Sequence, residues 1–245
     1  MMLKTKADVV AALEHAKNQG TSADLTGWNL QYQDLSDLNL THAILNDANL
    51  KGANLTNCTL TCISAERANL SGANLTRATI TNSNLAYADL RRAQLGSSTL
   101  TEINGEGINL SGILSNGICI SKSNLAYAKL KDVYLSNIEL ACTCLKGADL
   151  SNAFIRESSL VDIDLSNAIL LSGQFYLSQL KDVNFKNACL KEVRISQSEL
   201  NNIDFSGAYL YQVYLGTSTL GNINFQSADL RCEPWSAKHG VSRPR

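Results

Sequence analysis

The sequence predicts an all-β solenoid: a coil with four sides, each turn stacked in parallel on the one before, with a short capping α-helix at its start. Three observations lead there. An apolar residue recurs at every fifth position. Matching side chains recur at every twentieth position. Proline is confined to Pro234 and Pro244, outside the repeating region.

A helix repeats its apolar face every 3.6 residues and a strand every two, so a period of five belongs to neither. Of the 42 residue numbers divisible by five from 25 to 230, 39 hold Leu, Ile or Phe. The exceptions are Ala65, Gly105 and Ser115, and no insertion breaks the register. Two positions before each centre the residue is small or β-branched, as at Ala48, Ala53, Ala68 and Ala73. One position before, Asn or Asp is common, as at Asn49, Asn54, Asn69 and Asp89.

The longer period fixes the number of sides. Ser158, Ser178, Ser198 and Ser218 recur at intervals of 20, as do Ile163, Val183, Ile203 and Ile223, and Phe185, Phe205 and Phe225. Identical chemistry at every fourth pentapeptide is the signature of a four-sided coil whose turns lie in register.

These segments, "ANLTN", "ANLSG", "ANLTR", "ADLRR" and "ADLSN", resemble the pentapeptide repeat family, with consensus A-(D/N)-L-x-x. The resemblance covers residues 23–232. It implies a right-handed quadrilateral β-helix in which the centre and the residue two before it point inward and the other three point outward. Inter-coil hydrogen bonds at the strand spacing of about 4.8 Å would make a rod of roughly 50 Å. Each inward leucine contributes about 1.5–3 kcal/mol by burial. A proline inside the coils would delete an inter-coil donor. The three small centres each follow an Ile two residues earlier, at Ile63, Ile103 and Ile113. This predicts volume compensation in the core, with a local kink over 103–118 as the alternative.

Both ends of a solenoid expose core and unpaired edges, so both need covering. Residues 1–22 supply one cover. Thr5 and Asp8 form a capping-box pattern, Val9, Val10, Leu13 and Ala16 an apolar stripe, and Gly20 a stop, which predicts a helix near 6–18. At the other end, Trp235 is expected to plug the last coil, with residues 233–245 as a basic tail.

Composition narrows the function. The formal net charge is −1, so no global field favours nucleic acid or an anionic membrane. No apolar run is long enough for a membrane span, and the N-terminus lacks a signal-peptide core. Seven scattered cysteines form no disulfide framework and predict reduced thiols in a cytoplasmic protein.

No catalytic constellation emerges. His15, His42 and His239 have no partner in register. Cys142 and Cys144 form a C-x-C, but zinc needs further ligands, and Cys62 lies four coils away. No cofactor is expected, and the chain is read as a non-enzyme.

Function is therefore sought on the outer walls. We name the sides by their centres: A (40, 60, 80 and onward), B (25, 45, 65), C (30, 50, 70) and D (35, 55, 75). Side C carries Lys51, Arg91, Lys131, Lys191 and Arg231 one position after its centres, read as solvated charge. The C–D edge of the C-terminal half collects Tyr134, Phe154, Ile169, Leu171, Tyr176, Leu177, Tyr209, Tyr211 and Tyr214. Apolar and aromatic groups gathered on an exposed face mark an interaction site. "NLAYA", at 84–88 and again at 124–128, is read as a relic of duplication.

The expectation is a bacterial, rod-shaped protein–protein interaction module with an unidentified protein partner or a second copy of itself. The family resemblance implies an alternative, a DNA mimic that binds DNA gyrase in the manner of the quinolone-resistance members. Those carry strongly negative sides and projecting loops. This sequence departs on both counts.

Overall fold

The computed structural model describes residues 2–230. The Trp235 plug, the basic tail and Arg231 lie outside the described residues.

The chain forms a right-handed quadrilateral parallel β-helix preceded by one helix. Each residue pairs with the one twenty positions on: Leu60 with Ile80, Ile80 with Leu100, Leu160 with Leu180. Side A becomes a nine-stranded sheet from Thr59–Thr61 to Thr219–Asn224. Side D becomes a five-stranded sheet from Leu114–Asn116 to Arg194–Ser196. Side C, and side B as far as Asn124, are held by single-residue parallel bridges, such as Asn49 to Asn69 and Asn84 to Asn104; from Thr143 on, side B joins the longer strands of side A, as in Thr143 with Ile163.

The five-residue period follows from the corner. The residue two after each centre has a positive φ at every corner from Gly27 to Ser227. At the corners of the bridged sides the centre's carbonyl accepts the N–H three residues on, as in Trp28 N to Leu25 O at 3.0 Å. That is a type II geometry, which requires φ > 0 at its third residue. In the sheets that N–H can turn to a serine hydroxyl instead, as in Ile63 N to Ser83 Oγ at 3.1 Å. Each side is thus one short extended segment and one turn. Asn and Asp before the centre have two tasks. Their Oδ1 accepts the N–H two residues on, as in Thr41 N to Asn39 at 3.0 Å and Ser71 N to Asn69 at 3.1 Å. Their amides also ladder between coils, as in Asn54 Nδ2 to Asp34 at 2.9 Å.

The centres and the residues two before them fill one continuous core from Val9 to Leu210. Along side B the buried Phe185 and Phe205 stack on each other and Phe205 on the part-exposed Phe225, with ring centroids 5.1 and 5.4 Å apart. The serine column is a hydrogen-bond ladder. Ser178 Oγ accepts from Ser158 N at 3.3 Å and donates to Tyr176 O at 3.0 Å, and Ser198 does the same one coil on. Most buried hydroxyls in folded proteins are satisfied in this way.

The small centres are accommodated differently from one another. At Gly105 a Cβ would lie 2.7 Å from Leu125 Cδ2, so the leucine of the following coil occupies the space that Ile103 was expected to fill. At Ser115 the hydroxyl is buried without a hydrogen-bond partner. Sides A, B and C stay bridged through residues 103–118. On side D, no bridge joins Gln94 to Leu114 among the described residues.

The N-terminal cover is helix α1, Lys6–Gln19, with Thr5 as N-cap in a full capping box with Asp8 and Gly20 as a left-handed C-cap. The backbone hydrogen bond from Thr5 holds the Asp8 carboxyl below its usual range, followed by the Thr5 side chain. Val9 and Ala16 are buried, and Ala12 and Leu13 pack on the first coil. Val10 and Ala12 are both half-buried, but it is Ala12 that packs against the core in the place the stripe assigned to Val10. Two further contacts seat the cover. Lys6 Nζ donates to Ser36 O at 2.7 Å, and Leu3 bridges to Asn29, extending the side C ladder backward by one rung.

Candidate protein-interaction faces

The nine apolar and aromatic residues do not form one edge. They sort onto two walls. Tyr134, Phe154, Tyr176 and Tyr214 stand outward from side D, and Leu177 sits at the corner leaving it. Ile169 and Leu171 flank Leu170 on side C, and Tyr209 and Tyr211 flank Leu210 there. Between the walls runs a polar corner of Ser172, Glu192 and Gln212, all with positive φ.

Tyr134 and Phe154 stack with centroids 4.9 Å apart and planes 12° apart, because parallel pairing places them one above the other. Leu114 precedes them in the same column and is 71% exposed. It belongs to this patch although it was not among the sequence candidates; its spacing of twenty from Tyr134 was the available signal. The Arg156 guanidinium lies between Glu157 and Tyr134, and its hydrogen bonds to both, Glu157 first, raise its pKa further. On side C, Lys191 Nζ stands 5.6 Å from the Tyr211 ring centroid.

Beyond Phe154 the same column continues with Gln174, Arg194 and Tyr214. Here side D opens into a cleft of about 790 Å³ lined by Ser172, Gln174, Glu192, Arg194, Gln212 and Tyr214. Tyr214 is 55% exposed, and its ring leans over Gly216, where a Cβ would fall 2.0 Å from its hydroxyl oxygen. Sequence reasoning found Tyr214 but not the cleft.

The cationic row on side C is partly neutralised. Arg91 pairs with Asp89 at 2.7 Å and Lys191 approaches Glu192 at 3.4 Å. The tyrosines of the two "NLAYA" segments have an internal task. The ring of Tyr87 occupies the space beside Gly107, and that of Tyr127 the space beside Gly147, one coil further on. Tyr32 sits on Gly52 in the same way.

Among the described residues no three of His, Cys, Asp and Glu converge in a way that could hold a metal ion. Burial pushes the Cys58 and Cys189 thiols up to about 11, so both are protonated at neutral pH. Cys142 is exposed, and its hydrogen bond to the Asp162 carboxylate raises its thiol too. No helix among the described residues is long and apolar enough to cross a membrane.

Comparison with known proteins agrees with this geometry. The model for pentapeptide repeats matches eight copies over residues 23–61, 66–101, 119–156 and 158–197. The chain belongs to the pentapeptide repeat family. The model passes over residues 102–118, the stretch that holds Gly105 and Ser115. No curated protein matches the chain.

Among solved structures, the chain is similar to HetL, a pentapeptide repeat protein involved in heterocyst differentiation regulation from the cyanobacterium Nostoc. Identity is 23%, with 94% of this chain and 95% of that one covered and a TM-score of 0.62. That likeness is one of fold. A pentapeptide repeat protein of the Arabidopsis thaliana thylakoid lumen is 30% identical over 37% of this chain and 63% of its own, with a TM-score of 0.36. QnrB1, a plasmid-mediated fluoroquinolone resistance protein, is 16% identical over 79% of this chain and 90% of its own, with a TM-score of 0.40.

Proposed function

We propose that this protein is a non-enzymatic, rod-shaped protein–protein interaction module, acting in the cytoplasm through sides C and D of its C-terminal half. The observation behind this reading is the apolar and aromatic surface on those two walls, exposed at Leu114, Tyr134, Leu177 and Tyr214 and half-buried at the others. Leu114, Tyr134 and Phe154 form one contiguous column, while the same column on the first coils is Asp34, Asn54 and Asn74. A parallel ladder holds these groups at fixed spacing, so little order has to be imposed on binding. Tyrosine suits such contacts, being large and amphipathic with few rotatable bonds. The cytoplasmic assignment rests on the unpaired thiols.

A gyrase-binding DNA mimic would need a wall of uncompensated negative charge. The near-zero net charge and the lysines and arginine of side C argue against that reading.

The test is affinity capture from host lysate with two baits, the wild type and a Tyr209→Ser/Tyr211→Ser/Tyr214→Ser variant, with thermal unfolding measured on both. The expected result is a partner held by the wild type and lost by a variant of similar stability. Equal recovery of the same partner by both baits would remove these faces from the account.

A further inference from the structure

Resting on that reading, the geometry of side D points to the chemistry of the partner. We infer that the column from Leu114 to Tyr214 receives an extended peptide segment of another protein, running along the rod axis. The segment carries an apolar or aromatic residue for the Tyr134–Phe154 stack and an acidic residue for Arg194.

In the cleft, Glu192 is already engaged, accepting from Ser172 Oγ at 3.1 Å and facing Lys191 Nζ at 3.4 Å. Arg156 is likewise taken by Glu157. The backbone N–H of Arg194 donates to Gly173 O at 2.9 Å, but its guanidinium has no ion pair or hydrogen bond to any described residue. The charge left uncompensated in the cleft is therefore one guanidinium, a fork suited to a carboxylate. Gln174 and Gln212, on either side of it, carry amides that can pair with a peptide backbone.

Geometry adds the spacing. Phe154, Gln174 and Arg194 are consecutive rungs of one parallel ladder. Two rungs at about 4.8 Å place Arg194 roughly 10 Å from Phe154, and an extended chain covers that in about three residues. The apolar anchor and the carboxylate of the partner should thus be separated by about three positions. Charge disfavours this chain's own residues 231–245 as the occupant, because Arg231, Lys238, Arg243 and Arg245 outnumber Glu233.

The test is selection of a random short-peptide phage library on the full chain, wild type and Arg194→Glu, with thermal unfolding of both. Synthetic peptides from the selection then serve as probes. The expected result is enrichment of an apolar or aromatic residue about three positions from Asp or Glu on the wild type. The charge-reversed variant should select Lys or Arg at the acidic position. A wild-type-selected peptide should lose at least roughly tenfold in affinity on Arg194→Glu, and regain it when its acidic residue is exchanged for Lys.

Peptides that need Tyr134 and Phe154 but ignore Arg194 would overturn the acidic-partner inference and leave the interaction surface standing. Peptides indifferent to Tyr134→Ser, Phe154→Ser and Arg194→Glu would overturn both. Failure to enrich any peptide, together with a dimer in light scattering that Arg194→Glu dissolves, would assign the face to a second copy and overturn the inference.

Discussion

Phe205→Ala loosens the C-terminal coils by about 3–5 kcal/mol, the range for deleting a fully buried aromatic side chain. Phe205 is 1% exposed and is the middle ring of a stack of three. Its loss weakens two coil–coil interfaces at once. In a solenoid, stability is a sum over neighbouring coils, so the damage stays near the substitution and is felt most where fewer coils remain to hold the structure. The coils after Phe205 already expose Leu220 and Phe225 by 50% and 40%. The expected result is a lowered urea midpoint by circular dichroism and early proteolytic cleavage after residue 200, with the N-terminal coils still resistant. A midpoint unchanged from the wild type would mean that the stacked rings do not hold these coils together.

Gly107→Val is the second large effect, expected to destabilise by about 2–3 kcal/mol through two separable causes. Gly107 has φ +64°, and its Cβ would fall 2.6 Å from the Tyr87 ring. The other corners show what that backbone accepts. They hold Asn, Asp, Arg, Ser and Tyr, but the only β-branched residue among the non-glycine corners is Thr217, and Val and Ile are absent from them. Valine at this φ is therefore strained even with space beside it. Combining Gly107→Val with Tyr87→Ala removes the collision and leaves the backbone strain. The double variant should recover about 0.5–1 kcal/mol relative to the sum of the single changes. Strict additivity in urea unfolding would show that the ring and the glycine do not contact each other.

How much of this was written in the sequence depends on the distance each feature spans. Leu25 to Leu210, spaced by five, announce the coil because a buried centre must recur once per side. The serine and phenylalanine columns announce four sides because parallel pairing brings residues twenty apart into contact. Thr5, Asp8 and Gly20 announce the helix because capping is local.

What the sequence hid needs two coordinates at once. Asn39 reads as an outer polar residue, and its task of accepting the Thr41 N–H appears only with the backbone of the corner in view. Tyr87 contacts Gly107 because its ring leans one coil forward, a tilt that no spacing encodes. Leu125 fills the void at Gly105 for the same reason.

The candidate site divides in the same way. Outward positions on each wall were countable, so Tyr134, Phe154 and Tyr214 were found. The corner of Ser172, Glu192 and Gln212 separates what looked continuous, and the cleft around Arg194 depends on how far neighbouring side chains reach.

The most direct test of the interaction account is hydroxyl-radical footprinting of the protein alone and in complex with the captured partner. Tyr87 and Tyr127 are exposed on the corner between sides B and C, and Tyr32 on the first coils, far from residues 134–214 along the rod, so all three serve as internal references. The account predicts that oxidation of Tyr134, Leu177 and Tyr214 falls on binding while the three reference tyrosines react as before. Protection of Tyr32, Tyr87 and Tyr127, with Tyr134 and Tyr214 unchanged, would contradict it and place the partner on a different part of the rod.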